Sequence, residues 1–498
     1  MPVPFFDPND LPLVAALYRS AQHRGSPFHT PGHQRGQSAP SSLRGVWGSS
    51  LWQWDLPELP DLDNLFAPQG PIDAAQRLAA QTFGADRTWF LVNGSTAGVM
   101  AAILATCGPG DKILLPRNSH RSALAGLIFS GAMPVFVNPV YAADWDLWGT
   151  LTPDQVAHAL DQHPDLKAVL LLSPTYQGVG ADIAAIAALT HTQGIPLLVD
   201  EAHGAHWGFH PDLPPRALSQ GADLSVQSIH KTLSSLSQSA MVHTCGDRVS
   251  PQRLNQALAL LQSSSPNALL LASLDAARHQ MATAGLDLMA QTLHLAHQAQ
   301  SALAAIPGLR VWQLAAPRSG FWTWDPTRLT VEVAALGRSG FAVDDWLVER
   351  GILAELPSLR HLTFIISLGN TAADLEGLVQ GFRDLSTAGP AGPPPAAMAL
   401  PFPFPPPLLD HPSPIVPQLS PRDAHFAPTT VVPWEVAIDR LCADCICPYP
   451  PGIPLLFPGE PITRSILETL QNIHAQGGAI TGCEDPTLQT VRIVAKGP

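Results

Sequence analysis

Short apolar runs alternate with helix-like segments between Thr88 and Ala240, and this alternation limits the possible folds more than any other feature of the sequence. The apolar runs are WFLV, KILL, PVFV, KAVLLL and PLLVD. Runs of this length bounded by turns are typical of buried strands. Because a polar or glycine turn and a helical pattern follow each run, we predict an α/β fold with a mainly parallel sheet and helices on both faces. Such sheets bind ligands at the carboxyl ends of their strands.

The remainder of the chain divides by composition. A long helical stretch covers Leu254 to Ala305, and mixed strand-like and helix-like pieces follow it. The run GPAGPPPAAMALPFPFPPP is too rich in proline to hold a helix or a central strand, which predicts an extended connector. We therefore predict an N-terminal segment (1–70), a large domain (71–308), a small α+β domain (309–385), a proline-rich linker (386–421) and a C-terminal domain (422–498).

The charge balance excludes one class of partner. Lys and Arg total 27 against 40 Asp and Glu in the 498 residues, a formal charge of −13. Nucleic-acid phosphates demand a basic face, so we expect no nucleic-acid partner. The N-terminus lacks the pattern of a signal peptide, and the apolar stretches are too short to cross a bilayer. We expect no membrane partner and a cytoplasmic protein with reduced thiols.

Three of the six cysteines cluster in CADCIC, at Cys442, Cys445 and Cys447. A structural zinc site needs a fourth Cys or His at a matching spacing, and the next cysteine, Cys483, has no paired CxxC. We interpret the cluster as ordinary semi-buried thiols and predict no metal site.

The first segment with chemical meaning is Asn93-Gly94-Ser95-Thr96, between the strand WFLV and a helical pattern. Backbone N–H groups and the dipole at a helix N-terminus favour an anion, and Ser95 and Thr96 add hydroxyl donors. Since serine and threonine also cap helices in every kind of protein, this segment indicates a phosphate site only in combination with others.

A second segment, Asp200-Glu201-Ala202-His203-Gly204-Ala205-His206, follows the run PLLVD. An acid at the end of a buried strand is costly unless it meets a cation or strong donors, and a protonated pyridine nitrogen is such a partner. A metal bound by Asp200, His203 and His206 is the competing interpretation.

A third segment decides between these interpretations. It is Ser228-Ile229-His230-Lys231-Thr232, after the strand DLSVQ, and Lys231 lies in an otherwise uncharged stretch. Partial burial would lower the pKa of this amine and make it a nucleophile towards a carbonyl group. Ser228 and His230 could reach the phosphate of the first segment. In the segment after KILL, His120 could stack flat on a pyridine ring.

Together these segments resemble the fold-type-I pyridoxal-phosphate enzymes, and within them the Orn/Lys/Arg decarboxylase family, in its short biosynthetic form. The likeness covers nearly the whole chain outside the proline-rich run. Its most specific parts, which general aminotransferases lack, are HTPGH near the N-terminus and PYPPGIPLL near the C-terminus. Further matching segments are DLPELPDLDNL, GPGDKILLPRNSHRSA, SPTYQG, VDEAHGAH, SIHKTL and GCEDPTL.

The resemblance implies a role for each residue. Lys231 would bind pyridoxal 5'-phosphate covalently, Asp200 would pair with its pyridine nitrogen, and His203 would lie near its phenolic oxygen. The ring would lie between Ala202 and His120. The phosphate would be bound by Gly94, Ser95, Thr96, Ser228 and His230, and Thr175 would also face the cofactor. Catalysis would involve Lys231, Asp200, His203 and His120.

The resemblance also implies the reaction, decarboxylation of a basic L-amino acid to a polyamine-pathway amine, with arginine favoured over lysine and ornithine. Glu355 and Asp444 are candidates to bind the cationic side chain of the substrate. We expect at least a homodimer. Two alternatives stay open: another pyridoxal-phosphate reaction on the same fold, such as transamination, and a non-catalytic homologue that only binds the cofactor.

Overall fold

The computed structural model describes residues 10–23, 25–388, 414–449, 454–475 and 479–495. Most of the predicted proline-rich linker and the PPGI residues of the PYPPGIPLL segment therefore lie outside the described residues.

The strands follow the predicted runs closely. In chain order they are β1 (Arg87–Leu91), β2 (Lys112–Pro116), β3 (Met133–Val137), β4 (Tyr141–Ala142), β5 (Leu147–Trp148), β6 (Leu166–Leu172), β7 (Val179–Gly180), β8 (Leu197–Asp200), β9 (Leu224–Gln227), β10 (Ala240–Thr244), β11 (Arg310–Val311), β12 (Thr323–Trp324), β13 (Arg328–Glu332), β14 (Leu356–Pro357), β15 (His361–Ile365), β16 (Thr429–Pro433), β17 (Cys447–Tyr449), β18 (Ala479–Thr481) and β19 (Thr490–Val494).

The helices connect and cover these strands. They are α1 (Pro12–Gln22), α2 (Ser41–Trp47), α3 (Ser50–Trp54), α4 (Pro71–Phe83), α5 (Gly94–Thr106), α6 (Arg121–Ser130), α7 (Pro153–Gln162), α8 (Ile183–Thr192), α9 (Ile229–Thr232), α10 (Pro251–Leu261), α11 (Ala268–Ala304), α12 (Gly340–Val348), α13 (Ala372–Thr387), α14 (Pro421–Phe426), α15 (Trp434–Ala437) and α16 (Arg464–Ala475). Two short 3₁₀ helices cover Leu218–Gln220 and Ala334–Leu336.

Seven strands form the central sheet, in the order β1-β10-β9-β8-β6-β2-β3. The pairs β9–β8, β8–β6, β6–β2 and β2–β3 are parallel, while β10 is antiparallel to both of its neighbours. The predicted fold class, a mainly parallel fold-type-I sheet, is confirmed. The reversed strand β10 was not predicted, because an apolar run carries no information about its direction.

Alternate residues of each central strand pack on opposite faces of the sheet. Leu198 packs with α5, α6 and α10 on one face, whereas Leu197 and Val199 pack with α7 and α8 on the other. Because both faces are covered, the strands are apolar throughout, and truncating a leucine such as Leu198 to alanine would cost roughly 2–5 kcal/mol.

Two smaller units complete the described chain. An antiparallel sheet in the order β11-β13-β15-β14 packs against α12, α13 and the end of α11. The C-terminal unit pairs β16 with β19 and β17 with β18 around its own apolar cluster, which includes Trp434 and Leu470. None of the helices in the described ranges combines the length and apolar character that crossing a membrane requires. The domain boundaries given above stay a prediction.

Candidate cofactor and active site

The predicted site residues meet at one edge of the central sheet. Strands β1, β2, β6, β8 and β9 are followed directly by the segments that carry Gly94, His120, Thr175, Asp200 and Lys231. These strands point the same way, so their carboxyl ends lie together. The parallel topology therefore brings together residues that lie far apart in the sequence, as expected for a ligand site of an α/β sheet.

Lys231 is at the centre of this edge, in the short helix α9. Its Nζ lies 2.9 Å from Nε2 of His203 and 5.8 Å from the centre of the Tyr176 ring. The described structure brings Asp200 and Glu355 within electrostatic range, and both raise the pKa of the amine. Burial of Lys231 outweighs these carboxylates and lowers its pKa, with Arg328 adding to the effect.

His203 is a buried base next to a second base. Burial lowers the pKa of its imidazole well below the usual value, and the charges of Lys231 and Arg328 lower it further. Both members of the Lys231–His203 pair thus have lowered pKa values, so the pair has little tendency to carry two protons. A lowered pKa raises the fraction of the Lys231 amine that is neutral, and the neutral amine is the nucleophile.

Asp200 ends strand β8 and is 6% exposed. Its Oδ1 accepts a hydrogen bond from the backbone N–H of Ala202 at 3.2 Å. His206, the third member of the predicted metal alternative, instead pairs with Asp325 at 2.8 Å. His206 is therefore engaged by Asp325, and the predicted pairing of Asp200 with a pyridine nitrogen stays a prediction.

The predicted phosphate-binding residues also come together. The Ser228 hydroxyl donates to the Ser95 hydroxyl at 2.7 Å, at the N-terminus of α5. Gly94 begins this helix with φ of 72°, a left-handed conformation that favours glycine. Thr96 is exposed on the same turn. His230 lies beside Lys231, and its Nδ1 is 2.8 Å from the Ser239 carbonyl oxygen.

His120 lies at the rim of the site and caps helix α6. Its Nδ1 accepts from the Ser122 backbone N–H at 3.2 Å and lies 2.8 Å from the Ser122 hydroxyl. The surrounding protein desolvates the ring and lowers its pKa, while Asp200 raises it. Asp200 and Lys231 lie close enough to act on the charge of His120, which agrees with its predicted place at this site.

Sequence reasoning missed Tyr176, which lies beside a predicted residue. The hydroxyl of buried Thr175 accepts from the Val179 backbone N–H at 3.2 Å within its own turn. Tyr176 contacts the site instead, with its ring centre 4.2 Å from that of His203. The signal was an aromatic residue in a strand-end turn, in the segment SPTYQG.

Arg328 was also missed. It begins β13, is 0% exposed, and donates from Nη2 to the His203 carbonyl oxygen at 2.8 Å. A charged residue at the start of the buried strand RLTVE was the available signal. Its Nη1 has no hydrogen-bond partner in the described residues.

The two substrate candidates have different surroundings. Glu355 is exposed and acts electrostatically on both Lys231 and Arg328, which places it near the opening of the site. Asp444 is buried in the C-terminal unit and pairs with Arg492, whose Nε lies 2.9 Å from Oδ1. The Arg492 ion pair gives Asp444 a structural role, and its predicted contact with substrate stays a prediction.

Two family models match this chain. The model "Orn/Lys/Arg decarboxylase, major domain" matches residues 11–328, and "Orn/Lys/Arg decarboxylase, C-terminal domain" matches residues 414–487. The chain belongs to the Orn/Lys/Arg decarboxylase family. The predicted resemblance and the predicted enzyme class, a decarboxylase, are thereby confirmed.

Relatives in the Orn/Lys/Arg decarboxylase family match over almost the whole length. The chain is 38% identical to the arginine decarboxylase of Halalkalibacterium halodurans, over 97% of each chain. It is 37% identical to that of Bacillus subtilis, over 98% of each. It is 25% identical to the lysine decarboxylase LdcA of Pseudomonas aeruginosa, over 92% of this chain and 75% of LdcA.

Solved structures of lysine decarboxylases share the fold. The Francisella novicida enzyme LdcF matches with a TM-score of 0.83 and 22% identity, over 98% of this chain and 82% of that one. The constitutive lysine decarboxylase of Escherichia coli matches with a TM-score of 0.81 and 20% identity, over 98% and 82%.

The Orn/Lys/Arg decarboxylase family implies pyridoxal phosphate, and the residues present fit this cofactor. Around Lys231, the structure leaves four buried polar atoms without a hydrogen-bond partner in the described residues: Nδ1 of His203, Oγ1 of Thr232, and Nε and Nη1 of Arg328. Unsatisfied buried polar groups are costly, so their concentration here indicates a place for a polar ligand. The same edge offers an amine, a buried carboxylate and hydroxyls at a helix N-terminus.

Proposed function

We propose that this chain decarboxylates L-arginine to agmatine and CO2 with pyridoxal 5'-phosphate as cofactor. The observation that carries the proposal is the partly buried Lys231 amine, 2.9 Å from His203 and within electrostatic range of Asp200. The relatives named arginine decarboxylase, at 37–38% identity over nearly the full chain, support arginine among the basic amino acids.

Different site residues would bind different parts of the cofactor. Lys231 would hold it covalently, and the carboxylate of Asp200 would pair with the protonated ring nitrogen. The helix N-terminus at Gly94 to Thr96 would bind the phosphate together with Ser228 and His230. Ala202 and His120 would enclose the ring from its two faces. When bound, the cofactor supplies an electron sink for the two electrons that remain on the substrate α-carbon as CO2 leaves.

The chain's own residues control the protons of the reaction. Nζ of Lys231 and Nε2 of His203 lie 2.9 Å apart, so a proton can pass between the two nitrogens. That proton, held between Nζ and Nε2, is available for the substrate α-carbon after CO2 has left. His203 is itself kept in place by Tyr176 on one side and by Arg328 at its carbonyl oxygen.

Glu355 is the proposed acceptor for the substrate side chain. An exposed carboxylate near the opening of the site can bind a guanidinium in two parallel hydrogen bonds, which an ammonium cannot form. This difference in head-group geometry gives the site a means to prefer arginine to lysine and ornithine.

We further propose a homodimer located in the cytoplasm and a role in polyamine biosynthesis. All six cysteines are free in the structure, which agrees with a reducing compartment. Agmatine is a basic amine of the chemical class from which polyamines are made.

Product identification tests the proposal. The holoenzyme is incubated with arginine, lysine and ornithine in parallel, with the K231A variant as the matched control. We expect CO2 and agmatine from arginine at a rate at least tenfold above that for the other two amino acids. Formation of a keto acid would instead support the aminotransferase alternative, and a bound cofactor with no turnover would support the non-catalytic one.

A further inference from the structure

A buried ion pair joins the C-terminal unit to the loop that carries His120. Arg117 follows β2, and its Nη1 lies 2.5 Å from Oε1 of Glu460 while its Nη2 lies 2.7 Å from Oε2. Nη2 also donates to the Leu455 carbonyl oxygen at 3.0 Å. Arg117 is 3% exposed and Glu460 is 5% exposed. A bidentate pair of this kind has a single favoured geometry, because the guanidinium fork matches the carboxylate.

Two phenylalanines, one from each side of the junction, stack on each other beside the guanidinium. Phe136 belongs to β3 of the central sheet and Phe457 to the C-terminal unit, and their rings stack with centres 4.2 Å apart. The Arg117 Cζ lies 5.4 Å and 5.1 Å from these two ring centres. Since the rings exclude water, the charge of Arg117 depends on Glu460 for compensation.

Hydrogen bonds hold the loop between Arg117 and His120 in place. The Arg117 backbone N–H donates to Val137 at 3.0 Å, and the Ser119 hydroxyl donates to Pro116 at 2.7 Å. The Asn118 amide donates to the Gly149 carbonyl oxygen at 3.3 Å. His120 then caps helix α6. Arg117 lies only three residues before His120 in this tethered loop, so a shift of Arg117 is expected to move His120 through the backbone.

Glu460 is a rigid acceptor within its own unit. Its Oε2 accepts from the Phe457 backbone N–H at 2.9 Å, and its carbonyl oxygen accepts from the Cys442 N–H at 2.8 Å. The carboxylate is thus held in place independently of Arg117, and Arg117 aligns to it.

We propose that Glu460 is a positioning residue for His120 and acts through Arg117, so that the C-terminal unit sets the geometry of one face of the active site. This inference rests on the proposed function, in which His120 faces the cofactor ring. It gives the C-terminal unit a part in catalysis without a direct contact with substrate.

The test is a double-mutant cycle in the holoenzyme, with E460Q, H120A and the combined variant. The E460Q substitution keeps the shape of the side chain but removes its charge. We expect E460Q to lower kcat about tenfold, to change KM less than about threefold, and to shift the visible absorbance of the bound cofactor. In the H120A background the same substitution should have no further effect on kcat. Multiplicative losses in the combined variant would overturn the proposal, because Glu460 would then act independently of His120.

Hydrogen exchange of the backbone supplies a readout that requires neither substrate nor turnover. We expect residues 118–122 to exchange at least about tenfold faster in E460Q than in the natural chain. Unchanged exchange at these residues would also overturn the proposal. Should E460Q fold poorly, R117K is the second variant, because lysine keeps the charge but cannot form the bidentate pair. If the natural enzyme decarboxylates none of the three amino acids, the proposed function fails while the exchange result still decides the positioning role.

The D223N variant is the matched control. Asp223 is 2% exposed and pairs with Arg248 at 3.1 Å, but it precedes β9 and so lies at the edge of the sheet opposite the site. We expect D223N to leave the exchange of residues 118–122 and the cofactor absorbance unchanged.

Discussion

Two cations near the active site, the partly buried Lys231 and the buried Arg117, have opposite surroundings. Arg117 meets the carboxylate of Glu460 with both of its terminal nitrogens, beside a stacked pair of aromatic rings. The hydrogen-bond partner of Lys231 is instead His203, another base, and the carboxylate of Asp200 acts on it only through space. The paired cation joins two parts of the fold, whereas the cation left beside a base is available for chemistry.

The energetic consequence of this difference has a definite sign. Removing one partner of a buried ion pair leaves an uncompensated charge and is strongly destabilising. Removing an amine whose burial already disfavours its charged form relieves a cost that the fold otherwise bears. A variant at Lys231 should therefore lower activity more than stability, whereas a variant of the Arg117–Glu460 pair should lower stability more than activity.

The largest expected effect is the loss of activity in K231A. Without the amine there is no covalent attachment of the cofactor, so we expect decarboxylation of arginine to fall by roughly 10³-fold or more. The measurement is agmatine release, with cofactor content determined from the visible absorbance. Activity within tenfold of the natural enzyme would assign the catalytic amine to another residue. The contrast between Lys231 and Arg117 would then be wrong.

E460A is the complementary change at the paired cation. We expect it to lower the free energy of unfolding by about 3–5 kcal/mol, because it leaves Arg117 charged and buried. Denaturant unfolding of the cofactor-free protein measures this value. The matched variant is K231M, for which we expect an unchanged or higher free energy of unfolding. A large loss in K231M would contradict the proposed contrast.

E355Q sharpens the comparison at the opening of the site. Removing the carboxylate charge should raise KM for arginine by about 10- to 100-fold while changing kcat less than about threefold, because the lost contact is equal in ground and transition states. Glu349, an exposed acid on the same segment that pairs with Arg350, supplies the control variant E349Q. Equal effects of the two substitutions would mean that arginine binding depends on the overall negative charge of the surface and not on a direct contact with Glu355.

The pH dependence of cofactor attachment reports the lowered pKa of Lys231 directly. Only the neutral amine attacks, so the rate of attachment should rise about tenfold per pH unit and level off below the ordinary lysine value of 10.5. The unfolded chain binds more protons than the folded one between the two pKa values, so stability should also rise with pH there. A rate that keeps rising through pH 10.5 would show an ordinary lysine.

D444N is expected to have the smallest effect. Because Asp444 pairs with Arg492 in the C-terminal unit, we expect KM for arginine to change less than about threefold. Steady-state kinetics with arginine decide this. A tenfold rise in KM would restore the predicted contact between Asp444 and the substrate side chain.

Local patterns were sufficient to predict most of the elements. The runs WFLV, KILL, PVFV, KAVLLL and PLLVD each lie in a strand of the central sheet with at most one residue outside it, because a short apolar run between turns has few other stable conformations in water. The same local reasoning placed Lys231 and Asp200 at strand ends. Direction and pairing of strands depend on distant partners, which is why the reversed β10 was not predicted.

The missed residues share a physical cause. Arg117 and Glu460 are 343 positions apart. Arg328 contacts His203 across 125 positions, and no periodicity or motif near either residue predicts a contact over such a separation in sequence. Tyr176 reads in sequence as one more residue of a turn, and only the packing of that turn shows that its ring meets His203.

The sequence by itself determined the fold class, the family and the amine that the chemistry needs, since these depend on local apolar patterns and on residues at strand ends. Only the tertiary structure decided which buried charges are compensated. It paired Arg117 with Glu460, joined Asp444 to Arg492, and left Lys231 beside a base. The free energy of a buried charge depends on what lies within a few ångströms in space, and neighbours in space are not neighbours in the chain.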